Sequence, residues 1–162
     1  DKLAARTFPV ENYMAYSQSP VIEVIPGPQK ERFSDDGIKT FLNSEYTLSK
    51  SFDRMGYRLE GKPVAHLSNA DLISEGMTMG SVQVPASGQP IVMMADGPTT
   101  GGYPKIANVT RSSLPLLAQC EAGISKIRFG ETTVASAQIK YRELFKELQT
   151  GVMSEDYENL DA

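Results

Sequence analysis

The chain has 162 residues, 40% of them apolar and 22% charged, with a formal net charge of −4. These are the proportions of an ordinary globular domain, and mild acidity with scattered Lys and Arg excludes a basic surface for nucleic acid. No apolar run approaches the roughly 18 residues of a membrane helix, and the opening "DKLAAR" is too polar for a signal peptide.

A chain of this length buries roughly 68–70% of the surface its unfolded form exposes, enough for one core. Cys120 is the single cysteine, which excludes an internal disulfide and fits a reducing cytoplasm. It sits in the apolar stretch "LPLLAQC" (114–120), where a core thiol is expected rather than a nucleophile. One His and one Cys are too few for a Cys/His zinc site, and no carboxylate motif points to a metal. The first residue is Asp rather than Met, so a fragment, processed chain or trimmed piece is expected.

In chain order, residues 1–20 mix charges with Pro9 and Pro20 and read as a linker or loop. Val21–Ile25 is a strand ended by Pro26-Gly27-Pro28. Asp35 or Asp36 caps a short helix through Phe41 and Leu42. Period-2 patterning returns at "EYTLSKSFD" (45–53), with Tyr46 and Leu48 on one face, and "GYRLEGKPV" (56–64) reads as a strand reversing at Gly61. In "GMTMGSVQVP" (76–85), Val82 and Val84 point inward and Gln83 outward, which predicts a half-buried strand. "PIVMMAD" (90–96) is a buried strand, joined to it by a tight hairpin at "ASG" (86–88).

Residues 105–111 alternate as a further strand, and Ser112 or Ser113 starts a short helix that tolerates Pro115 in its first turn. "GISKIRFG" (123–130) places Ile124 and Ile127 in another strand. The clearest helix follows an N-cap at Thr132 or Thr133. Val134, Ala137, Tyr141, Leu144, Phe145 and Leu148 form its apolar face, and Gly151 is its stop. Residues 152–162 form a short acidic tail. About seven short strands with tight turns, plus three helices, predict a mainly β (α+β) barrel or sandwich with antiparallel pairing over residues 21–151.

The stretch 96–105 gathers the residues with the most chemistry. Asp96, Thr99, Thr100, Gly101, Gly102, Tyr103 and Lys105 lie within ten positions. Paired glycines let backbone N–H groups converge on an anion, while the same residues also suit a simple hairpin of four or five loop residues. No Walker A pattern occurs anywhere. Arg54 and Arg58 flank "RMGYR" and suit either a carboxylate or phosphate ligand or ordinary surface ion pairs. His66 in "VAHLSN" lacks the context of a hydrolase triad and reads as a strand or turn residue. "SDD" (34–36) and "SED" (154–156) read as caps or solvated charge.

Three blocks in order, "SFDRMGYRLEG" (51–61), "GSVQVPASGQPIVMMADGPTTGGYPKIANV" (80–109) and "SLPLLAQ" (113–119), resemble the KipA family. It is also called allophanate hydrolase subunit 2 or the biotin-dependent carboxyltransferase family. The resemblance runs from about Val21 to Gln149 and covers the carboxyl-terminal half of family members. It implies a cyclophilin-like β-barrel with a few short helices, and an amino-terminal half of the same family as a partner. Apolar surface is then expected where that half packs.

The resemblance further implies a cytoplasmic subunit of an ATP-hydrolysing 5-oxoprolinase that opens a small cyclic amide. A KipI-like subunit and a third subunit complete that hetero-oligomer, and the isolated chain is expected to be inactive. Two other roles follow from the same resemblance. One is a non-catalytic protein that binds and antagonises a KipI-type inhibitor of a histidine kinase, and the other is a carboxyltransferase domain of a urea carboxylase. On the catalytic reading, Asp96 is a base or an orienting group, while Lys105, Arg54 or Arg58 holds a carboxylate or phosphate. Gln83 and Gln89 match the substrate amide, and Thr99, Thr100, Gly101, Gly102 and Tyr103 line the site.

Overall fold

The computed structural model describes residues 15–152. The expected linker before residue 15 and the tail after residue 152 lie outside the described residues, and residues 15–20 carry no regular structure. From there the chain lays down β1 (Val21–Pro26), a 3₁₀ turn at Lys30–Arg32, α1 (Asp35–Asn43), β2 (Tyr46–Leu48) and β3 (Gly56–Glu60). There follow β4 (Glu75–Gly76), β5 (Ser81–Gln83), β6 (Ile91–Met93), β7 (Thr100–Gly101) and β8 (Lys105–Val109). The last elements are α2 (Leu114–Ala118), β9 (Lys126–Glu131) and α3 (Val134–Val152).

Seven strands close a barrel in the order β1-β8-β5-β6-β3-β2-β9, while β4 and β7 make a separate two-stranded ribbon. Alternation supplies the interior. Ile22 and Val24, Tyr46 and Leu48, Leu59, Val82, Val92, Ala107 and Val109, and Ile127 and Phe129 are all buried. α1 plugs one side of this core by stacking Phe41 on Phe129, with ring centroids 4.3 Å apart. Cys120 is buried in the same core, and burial pushes its thiol up, so it is an inert apolar filler.

Several expectations are corrected. The barrel is not wholly antiparallel, because β1 and β9 pair in parallel from Val21 opposite Arg128 to Val24 opposite Glu131. A parallel pair needs a long connection, and here almost the whole barrel lies between the two strands. Ser34, not Asp35 or Asp36, caps α1, its Oγ accepting from Gly37 N at 2.9 Å. Ile124 lies in the turn before β9 and is 55% exposed, since the strand begins only at Lys126. α3 continues through Gly151 to Val152, so that glycine does not stop it. Thr133 does cap it, accepting from Ser136 N at 3.2 Å.

The apolar face of α3 does not reach the core. Val134, Tyr141, Phe145 and Leu148 are all exposed. The helix is held instead by an ion pair from Lys140 to Glu23 and by Arg111 stacked over the Tyr141 ring.

Burial also perturbs one core hydroxyl. Tyr46 donates to Thr40 O at 3.4 Å, and desolvation pushes its hydroxyl up to about 12. The folded chain therefore holds that proton more tightly than the unfolded chain. The stability this provides is complete below about pH 10 and is lost as the pH rises towards 12, by roughly 2–3 kcal/mol. Urea titrations across that range should show the loss in the native sequence, and Tyr46→Phe should flatten it.

Candidate functional site

The candidate site is a row of residues running across four strands. Arg58 pairs with Ile91 between β3 and β6, Ile91 with Gln83 between β6 and β5, and Gln83 with Lys105 between β5 and β8. Directly paired residues share a face, so these four side chains leave the outer wall together. Strict alternation would set Lys105 on the inward face of Ala107 and Val109. A register shift between Val82 and Gln83 brings Lys105 opposite Gln83 instead.

Two adjoining clefts open over this row. The larger, about 570 Å³, is lined by Ser49, Ser51, Arg58, Gln83, Gln89 and Tyr103 among others. The smaller, about 230 Å³, shares Ser51, Arg58, Gln83 and Ile91 with it. Arg58 has no carboxylate partner among the described residues, which leaves its guanidinium available at the cleft.

Gln83 is not the exposed strand residue that alternation predicts. It does face outward, but it is only 9% exposed because the connection from β6 to β8 crosses over it. β5 separates β6 from β8 in the barrel, so residues 94–104 form a crossover and not a hairpin. β7 lies within this crossover and pairs with β4, Gly101 opposite Glu75 and Thr100 opposite Gly76. Gly101 rests directly on Gln83. A Cβ there would stand 3.2 Å from Gln83 Oε1 and 2.6 Å from Met77 Sδ. Gln83 Oε1 is enclosed and has no hydrogen-bond partner. Buried acceptors are nearly always satisfied, and an orphan costs about 1–3 kcal/mol.

Lys105 is 3% exposed, and its Nζ lies 3.3 Å from Glu75 Oε2. Gln29 donates to the same oxygen at 2.6 Å and accepts from the Lys105 backbone N–H at 3.0 Å. The Pro26–Pro28 turn brings Gln29 there, and it needs Gly27, because a Cβ at that position would stand 2.2 Å from Lys105 O. Gln29 and Glu75 carried no signal in the sequence. They lie 76 and 30 positions from Lys105, and no periodicity links such distances.

The other sequence candidates are placed differently. Gln89 spends both ends of its amide on the peptide of Gly61, at 3.0 and 3.1 Å, and so clamps the β3 turn. Arg54 and Asp96 hold each other in an exposed two-pronged pair, 2.7 and 3.1 Å, away from both clefts. Thr99 and Thr100 are exposed on the ribbon, and Gly102 O accepts from Leu72 N at 2.8 Å. A backbone anion nest requires a positive φ, and neither Gly101 nor Gly102 has one. His66 stacks on Phe33 at 4.8 Å and places Nε2 3.0 Å from Val84 O, a structural role. Among the described residues no cluster of three or more His, Cys, Asp or Glu could hold a metal. None of the helices among them is long and apolar enough to cross a membrane.

The family model described as carboxyltransferase domain, subdomain A and B, matches residues 2–131. The chain belongs to that family. Two curated relatives of this carboxyltransferase chain are both named as subunits of 5-oxoprolinase. The protein from Haemophilus influenzae is 42% identical over 117 residues, covering 72% of this chain and 38% of the relative. The one from Escherichia coli is 42% identical over 102 residues, covering 63% of this chain and 33% of the relative. The chain thus spans only about a third of the length of these relatives. Among solved structures, the K. lactis urea amidolyase superposes with a TM-score of 0.79 at 19% identity, over 86% of this chain and 9% of that one. That likeness establishes the shared barrel. The family match ends at residue 131, three residues before α3 begins.

The fit of Gly101 over Gln83 yields a direct test. Gly101→Ala should destabilise the carboxyltransferase barrel by about 1–3 kcal/mol, because the new methyl meets Met77. Adding Met77→Ala should recover part of that loss in a double-mutant cycle measured by urea unfolding.

Proposed function

We propose that this chain works as a component of an ATP-dependent 5-oxoprolinase and contributes the cleft over Gln83 to binding of a small cyclic amide. The naming of two relatives at 42% identity supports the family role. The observation that carries the site is the enclosed Gln83 Oε1 without a partner at the junction of two clefts.

A carboxamide is the natural complement of a lactam, which presents one N–H donor beside one C=O acceptor. Gln83 accepting the lactam N–H would satisfy its orphan atom only when substrate is bound, so the cost of that atom is recovered in the complex. Arg58, two strand spacings or about 10 Å away, is placed for an anionic group of substrate or nucleotide. ATP supplies the activation, since phosphorylation turns the carbonyl oxygen of an unreactive amide into a leaving group. In this reading a KipI-like subunit and a third subunit bring the nucleotide and the rest of the site, together with the amino-terminal half of the family.

The test is reconstitution with those subunits and an assay of ATP-dependent loss of 5-oxoproline. Gln83→Leu should lower kcat/KM by about 10–100-fold while leaving the unfolding midpoint unchanged or raised, since the substitution removes an unsatisfied acceptor. Full turnover by Gln83→Leu would overturn the assignment of Gln83. Carboxyl transfer to urea from a carboxybiotin source, with 5-oxoproline untouched, would replace the proposed reaction with that of a urea carboxylase. A stable complex inert on both would leave the chain a binding partner of its KipI-like subunit.

A further inference from the structure

Gln29 and Lys105 form a cradle for a carboxylate, and the chain fills it with a side chain of its own. Gln29 uses Oε1 on the Lys105 backbone N–H, which fixes its amide with Nε2 turned towards Glu75. Lys105 Nζ approaches the same oxygen of Glu75, so two donors converge on one anionic atom. Both donors are built into the wall, Gln29 8% and Lys105 3% exposed.

The occupant is held quite differently. The Glu75 side chain is 51% exposed, and it rides on a ribbon of two residue pairs. The strap leading to it, residues 71–76, is exposed apart from a half-buried Leu72. A deeply fixed pair of donors therefore meets a loosely tethered acceptor. A purely structural ion pair gains nothing from that asymmetry, because a half-solvated carboxylate contributes little against the cost of burying an ammonium.

We propose that Gln29 and Lys105 constitute a binding site for the carboxylate of a small acid, and that Glu75 is an internal stand-in which the ligand displaces. Displacement needs no covalent step: one carboxylate exchanges for another on the same donors, and Glu75 returns to water. The ribbon moves with it, since Glu75 is paired to Gly101. Gly101 is also what covers Gln83 Oε1, so release of Glu75 uncovers the orphan acceptor one strand spacing away, about 4.8 Å. A ligand carrying an N–H close to a carboxylate would engage both positions at once. The cradle geometry alone carries the proposal, which does not require the reading of Gln83.

Acetate is the probe, with acetamide as its uncharged counterpart, added at constant ionic strength to the full ¹⁵N-labelled chain. In Glu75→Ala the backbone amides of Lys105 and Gly101 should shift saturably with acetate, with a dissociation constant at least tenfold below that of the native sequence. Acetamide should produce no such shift. Adding Lys105→Met to Glu75→Ala should abolish the acetate response. Glu75→Gln, which keeps the length of the side chain on the ribbon, serves the same titration if Glu75→Ala does not fold, and should also bind acetate more tightly than the native chain. Equal responses to acetate and acetamide, or no response in either variant, would mean that Glu75 is a structural counter-ion and would overturn the proposal. Failure of both variants to fold would overturn it too, because a displaceable side chain cannot be one the fold requires.

Discussion

A lysine ammonium inside the wall of a barrel is the constraint around which this structure is arranged. Placing Lys105 there desolvates a charge, at a cost of several kcal/mol unless donors and acceptors are supplied locally. The register shift in β8 turns the residue away from the apolar interior. The turn at Gly27 brings Gln29 against its backbone, and the β4–β7 ribbon delivers Glu75 from outside. None of these three devices contributes to the core. Each exists in relation to one side chain, and together they shape the wall where the clefts open.

The crossover from β6 to β8 follows from the same arrangement. Because β5 is inserted between those strands, the chain must travel over the outer end of β5 to reach its partner. That path encloses Gln83 and lets Gly101 rest on it. The Gly-rich segment is therefore a cover with a flat underside, and its glycine serves close contact between backbone and side chain. The carboxyltransferase family match includes this whole arrangement but stops short of α3. The lone apolar stripe of that helix lies outside the part of the fold that the barrel itself demands.

What could be read from the sequence was whatever repeats within a few residues. Alternation at Ile22 and Val24, or at Tyr46 and Leu48, located strands whose inward faces are buried as expected. The 3.6-residue period located α3, and Thr133 its cap. The three-block resemblance placed Gln83, Arg58 and Tyr103 near a site, and all three line one cleft. Long-range relations were not legible. Strict alternation assigned Gln83 to solvent because it knows nothing of the crossover at residues 94–104 laid over it. Lys105 could be singled out as a cation, yet neither its burial nor its partners Gln29 and Glu75 follow from neighbouring residues. Asp96 and Arg54 were each plausible in isolation, and only the fold reveals that they spend their charge on each other.

The parallel pair that closes the barrel has a consequence for how the molecule is made. β1 is the first strand described and β9 the last, so the seam between Val21–Val24 and Arg128–Glu131 joins segments over a hundred positions apart. Loop closure of that length delays pairing, and contacts of such high order slow folding. Until β9 emerges from the ribosome, β1 and β2 each keep an unpaired edge that invites a neighbouring chain. The seam is also the place where the finished barrel depends on residues that arrive last. Synthesis, rather than the folded state, is the stage at which this architecture is most exposed to misassembly.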